Sequence, residues 1–204
     1  MTKKEFKPTL TEYIGPAGAG KTTLANQEIK EIRKKGKRVL THQYYRVHKL
    51  RLCLDLMWFP FFIVKERKQA KKIWELFKKD VKLKTKIREL IKTMFIVFKT
   101  TNLIRRARKK NIKRIIIDQG FVQQVSAMGM RGIITTKSLD KSITWWIQNK
   151  ASFELERINI TPETAVKRRM KRQSKIDKNK SEKEMIEESN LINHSIDVLQ
   201  NKLN

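Results

Sequence analysis

Eight consecutive residues, Gly15-Pro16-Ala17-Gly18-Ala19-Gly20-Lys21-Thr22, carry the clearest chemical signal in the chain. They match G-x-x-x-x-G-K-[ST], in which glycines let the backbone turn its N–H groups inward around phosphate oxygens. A helix opening at the end of the loop adds its positive N-terminal end. Lys21 would reach the β- and γ-phosphates, the Thr22 hydroxyl would hold magnesium, and Thr23 completes the nucleotide-binding segment. The surroundings suit this role. Leu10–Ile14 reads as a buried strand before the loop, and Lys21–Lys35 as an amphipathic helix stopped by Gly36. The ligands expected are therefore ATP and Mg2+.

A carboxylate completes the set. Lys113–Asp118 (KRIIID) is a β-branched run ending in Asp118, which in such proteins lies across from the loop hydroxyl and shares the metal. The next residue is Gln119, so a glutamate that could polarise an attacking water is missing there. A guanine-reading N-K-x-D also fails, because Asn149-Lys150-Ala151 runs into Ser152. Both departures favour phosphoryl transfer to a small-molecule acceptor over hydrolysis.

The elements that must position these groups alternate between strand and helix. Arg38–Tyr45 and Phe153–Ile160 read as further strands, and Phe121–Met128 and Lys137–Asn149 as helices. Thr161-Pro162-Glu163 is a helix start, and Ser181-x-x-Glu184 a capping box for a last helix with Ile186, Ile192, Ile196 and Leu199 inward. Between 50 and 108 the spacing of Ile73, Phe77, Val81, Ile87, Leu90, Ile91, Met94, Phe95 and Phe98 predicts one short helix before Pro60 and two longer ones after it. Strands alternating with helices imply a mostly parallel sheet covered on both sides. The expectation is one α/β domain over 1–204: a three-layer P-loop NTPase fold with a helical acceptor-side section at 49–111.

Three patches resemble the thymidylate kinase family of P-loop kinases. Gly15–Thr23 (GPAGAGKTT) is similar to that family's G-x-x-G-A-G-K-[ST]-T loop. Asp118-Gln119-Gly120 stands where the family has a strand ending in Asp-Arg. Ile160-Thr161-Pro162-Glu163-Thr164-Ala165 with Arg168 and Arg172 is similar to its Pro-Glu-x-Ala-x-x-Arg helix, which leads into a basic lid. The resemblance implies that Arg168 and Arg172 reach the transferring group, and that a lid spans 168–183, with Lys171 and Lys175 in it. It also marks departures: Ala17 replaces an acidic loop residue, Gln119 an acceptor-binding arginine, and Met170 a lid arginine. Tyr44, Arg46 and His48 are what remains of the acceptor motif after the second strand, with Arg46 and Gln123 as acceptor contacts. Surface amides are the plainer reading of Gln123 and Gln124. ATP binding survives these departures, whereas thymidylate as the acceptor does not follow.

Charge sets the remaining alternatives. The chain carries a formal +28, of which 65–114 supplies +16 and 167–183 another +7. Such surfaces attract nucleotides, nucleic acid or acidic lipid headgroups, or are simply solvated. His42, His48 and His194 lack metal-ligand spacing, and Trp145 and Trp146 read as core and rim. Cys53 stands alone, so a reducing cytoplasm is expected, and no secretory signal is legible in MTKKEFKPTL. The longest apolar run, Leu56–Val64, is too short to span a bilayer; the wider segment Leu50–Val64, flanked by lysine and arginine, reads ordinarily as a core helix on the acceptor side of the sheet and alternatively as a surface for an acidic membrane or a lipid-linked acceptor. Three classes stay open: a small-molecule kinase, an ATP-binding regulatory module, and a nucleic-acid-associated ATPase, the last without any nucleic-acid-binding motif. A homodimer fits each of them.

Overall fold

The computed structural model describes residues 6–41, 49–135, 152–172 and 180–200. Among the described residues four strands form one sheet: β1 (Thr9–Ile14), β2 (Val39–Thr41), β3 (Arg114–Ile117) and β4 (Ser152–Arg157). All pair in parallel in the order β2–β3–β1–β4. β1 is central, with Thr9 opposite Arg114 on one side and Ser152 on the other. Its alternating residues therefore serve two faces.

Helices cover both faces. Tyr13 joins Val39 and Ile116 against Ala25 and Ile29 of α1 (Lys21–Lys34). Leu10, Ile115 and Ile117 pack on the opposite face against Leu103, Ile104 and Ala107 of α4 (Leu83–Lys109). Ile14 continues that face into a cluster with Phe121, Val122 and Val125 of α5 (Phe121–Met130) and Ile192 and Ile196 of α7 (Glu182–Gln200). With the glycine-rich loop between β1 and α1, this is the three-layer P-loop NTPase fold.

Local chemistry sets several boundaries. Thr161 caps α6 (Pro162–Lys171) by accepting from the Thr164 amide at 3.3 Å, with Pro162 at the first helical position. Ser181 and Glu184 exchange the two bonds of a capping box at 2.7 and 3.2 Å before α7. The inward face of α7 starts at Met185 rather than Ile186, followed by Ser189, Ile192 and Ile196.

The helical section departs most from expectation. Pro60 does not end a helix: α2 (Lys49–Lys65) runs through it, followed by short α3 (Arg67–Trp74) and the 27-residue α4. Proline costs a helix about 3 kcal/mol, but Phe59 and Phe62 on either side of it stack against Phe95 and Phe98 and hold both halves in line. α4 is also rotated from the expected register. Ile87 and Ile91 are nearly half exposed, while Glu89 and Thr93 are buried. A buried acid inside the apolar stripe is what misleads the reading there. Among the described residues the second strand covers Val39–Thr41, residues 42–45 of the expected strand lying outside them, and β4 stops at Arg157. The expected helix 137–149, with Trp145 and Trp146, lies outside the described residues, as do His42, Tyr44, Arg46, His48 and Lys175.

Candidate phosphate-binding site

β1 delivers its C-terminal end into the loop, and α1 begins at Lys21 with Gly20 as its N-cap in the left-handed region (φ +95°). Gly18 also has positive φ (+89°), and a Cβ there would lie 2.2 Å from the Ala165 carbonyl oxygen of α6. Only glycine permits both the turn and that approach. The tip of the loop is thus pressed against the second turn of α6.

Lys21 lies along the inside of the loop, its Nζ donating to the Gly15 and Pro16 carbonyls at 2.6 and 2.8 Å. Burial lowers its pKa to about 8; Asp118 opposes the shift and Arg172 adds to it. The Thr22 hydroxyl donates to Asp118 Oδ2 at 2.7 Å, bringing the two expected metal-binding oxygens together at the ends of β1's loop and β3. A hydroxyl and a carboxylate are hard oxygen donors of the kind Mg2+ takes together with water and phosphate. Among the described residues no group of three His, Cys, Asp or Glu forms an all-protein metal cage.

α6 aims two arginines at this point. Arg168 Nη1 sits 3.6 Å from where a Gly20 Cβ would be, and Arg172 is near enough to Lys21 to depress its proton affinity. Both are exposed, so their charge is available to an anion on the loop. Arg169, one residue on, is 7% exposed: its Cγ would lie 3.0 Å from a Cβ at Gly18, and its guanidinium donates to Glu188 of α7 at 3.2 Å, where Lys180 also pairs. That carboxylate anchors α6 while leaving Arg168 and Arg172 over the loop.

Two features escape sequence reasoning. Glu12 is fully buried in the middle of β1, its carboxylate accepting from the Val122 and Gln123 amides at 3.3 and 2.8 Å. It occupies the N-terminus of α5, the helix directly behind Asp118. The signal was present as a charged residue between Leu10 and Ile14 in a strand otherwise buried on both sides. Gln123 is a half-buried amide rather than a surface one: its Oε1 accepts from the Gly15 amide at 3.2 Å, bracing the start of the loop. Gln124 is buried and donates to Glu89 at 2.9 Å. Burial pushes the Glu89 carboxyl up, but the twofold bond to Arg131 outweighs it and holds the group below its ordinary value.

Glu12 makes folding pH-dependent. Burial raises its pKa from 4.5 to about 7 against the pull of the α5 amides. The folded chain therefore holds a proton that the unfolded chain has lost between those values. Its stabilising contribution is complete below pH 4.5 and disappears as pH rises through 7, about 3 kcal/mol in all. Thermal melts of wild type should fall from pH 5 to pH 8 along this window. Glu12→Gln should give a flatter profile, and an unchanged slope would contradict the assignment.

No family model matches the sequence, and no curated protein matches it. Solved structures similar in fold include three of deoxyadenosine kinase from M. mycoides, each 15% identical. The one with the products dCMP and a flexible dCDP covers 96% of this chain and 98% of its own, with a TM-score of 0.47. The dATP complex covers 94% and 85% with a TM-score of 0.49, and the dCTP complex 96% and 86% with 0.48.

Proposed function

We propose that the chain is an ATP-dependent phosphotransferase, moving the γ-phosphoryl group to a small-molecule acceptor of nucleoside or nucleotide type. The observation that carries this reading is the convergence on one loop of Lys21, the Thr22–Asp118 pair and two arginines from a separate helix. Cations brought to the loop from α6 suit the charge that develops on a transferring phosphoryl group, beyond what holding a nucleotide requires.

The residues divide the work as follows. Backbone amides of 15–22 and the α1 N-terminus hold the phosphates. Lys21 exchanges its two carbonyl partners for phosphate oxygens, which restores its full charge. Thr22 and Asp118 would hold Mg2+, which when bound neutralises charge on the phosphate oxygens. In the transfer a bond forms between an acceptor oxygen and the γ-phosphorus while the bond to the ADP oxygen breaks. Arg168 and Arg172 meet the charge that spreads over the moving group. Gln119, an exposed amide beside Asp118, cannot take a proton from water, which favours an acceptor over hydrolysis.

A nucleotide-binding regulatory module is the second reading, favoured by Met170, an apolar side chain 49% exposed on the same helix as the two arginines. Kinetics separate the two. Arg168→Gln and Arg172→Gln should each lower kcat roughly a hundredfold or more while changing the KM for ATP only a few-fold. Weaker ATP binding with kcat unchanged in both variants would favour the module.

A further inference from the structure

The described part of α2 is apolar on both sides. Its inner side is accounted for: Phe59 meets Phe95 and Phe98 at ring separations of 5.3 and 5.7 Å, and Phe62 meets Phe98 at 4.9 Å. A surface helix normally turns charged residues outward opposite such a face. Here Met57, Trp58, Phe61 and Val64 are 70, 64, 68 and 72% exposed. Their spacing places them on one stripe of the helix, with Trp58 against Phe61 at 5.6 Å. Large apolar groups clustered in this way mark a contact surface.

The charges lie at the end of the stripe instead. Lys65 closes α2, and Arg67, Lys68 and Lys71 follow in α3, all exposed, with Glu66 the lone acid between 65 and 72. Lys65, Arg67, Lys68 and Lys72 line a shallow recess of about 460 Å³ at the α2–α3 junction, with Glu66 and Gln69. An apolar stripe carrying an exposed tryptophan, next to a basic cluster, is complementary to one partner in particular. Hydrocarbon takes the stripe, interfacial ring packing suits Trp58, and lipid phosphates take the cations.

We propose that the outer face of α2 and the basic α2–α3 junction form a docking surface for an anionic lipid membrane. The helix lies in the interface and does not cross it; no helix among the described residues is long and apolar enough to span a bilayer. Charge argues against a second copy as the occupant, because it would bring two copies of the basic run 65–72, five Lys and Arg against Glu66, together. A nucleic acid would use the cations but leave the stripe in water. The surface is independent of the phosphate loop.

Sedimentation of the full chain with lipid vesicles at low salt tests this. Wild type should partition onto phosphatidylcholine vesicles containing about one-third phosphatidylserine, and not onto phosphatidylcholine alone. Trp58→Ser/Phe61→Ser should weaken that partition at least about tenfold. Neutralising Lys65, Arg67, Lys68 and Lys71 to Gln should weaken it about a thousandfold. All these side chains are exposed, so circular dichroism melts should stay near wild type, and Lys21→Ala should bind vesicles normally. Absence of wild-type association overturns the proposal. Full association of the Trp58/Phe61 variant also overturns it, reducing the effect to adsorption of a polycation. A light-scattering mass that falls from dimer to monomer in that variant, without vesicle binding in wild type, would instead assign the stripe to a second copy.

Discussion

Lys21→Ala is expected to reduce phosphoryl transfer by at least about a thousandfold while leaving the chain folded. Lys21 is the cation inside the loop, 2.6 and 2.8 Å from two loop carbonyls. Its burial lowers its pKa to about 8, so most of the population is charged at pH 7 even before a ligand arrives. Polyphosphate would replace those carbonyls as its partner and concentrate the charge at the bond being broken. Alanine removes the charge and supplies nothing in return. The fold should tolerate the change because the residue opens α1, where alanine is a favourable helix former, and because the Pro16 carbonyl keeps the Ala19 amide as a donor at 3.2 Å. Transfer assays beside circular dichroism check both halves. Wild-type turnover in a folded variant would remove the loop from the mechanism.

Gly120→Ala is expected to cost stability rather than catalysis alone, at least about 3 kcal/mol. The φ at this position, −113°, suits any residue, so backbone strain is not the reason. The reason is contact. A Cβ at 120 would lie 2.3 Å from both Cδ and Oε2 of Glu12 and 2.5 Å from Ile117 Cδ1. Glu12 cannot retreat, because it is fully buried and held by the Val122 and Gln123 amides. Moving it would strip the α5 N-terminus of its acceptor and leave a carboxyl unpaired in the core. The melting temperature should fall by about 6–12 °C for a chain of this size. Gly36→Ala is the control: its φ is +69° but nothing lies within 4 Å, so about 1 kcal/mol is expected. Combining Gly120→Ala with Glu12→Ala should cost less than the sum of the two, because the second change removes the clash with Glu12 and leaves only that with the end of the Ile117 side chain. Strict additivity would contradict the packing argument.

What the sequence made legible was local chemistry. The phosphate loop, the strand ending before Asp118, the Thr161 cap and the Ser181–Glu184 box each rest on neighbouring residues, and each forms where its spacing places it. What it concealed depends on partners distant in the chain. Pro60 reads as a helix end until Phe95 and Phe98 are seen to brace both sides of it. Ile87 and Ile91 read as core because Glu89 reads as surface, and Glu89 is inside because Arg131 and Gln124, some 35 to 42 residues on, satisfy its oxygens. Glu12 and Gly120 have meaning only as a pair, brought together from β1 and the N-terminus of α5. Gln123 became part of the loop through a bond spanning 108 residues. Arg168 and Arg172 stand out through a resemblance rather than through spacing, and Arg168 lies beside Gly20 of the loop; Arg169, between them, is the anchor that no spacing rule singles out.

The most direct measurement is transfer of labelled γ-phosphate from MgATP to a panel of deoxynucleosides, nucleotides and sugars, with Lys21→Ala in parallel. The account predicts a labelled product from a nucleoside or nucleotide acceptor, absent with Lys21→Ala. Tight MgATP binding with no labelled product from any acceptor would contradict a phosphotransferase and leave a nucleotide-binding module in its place.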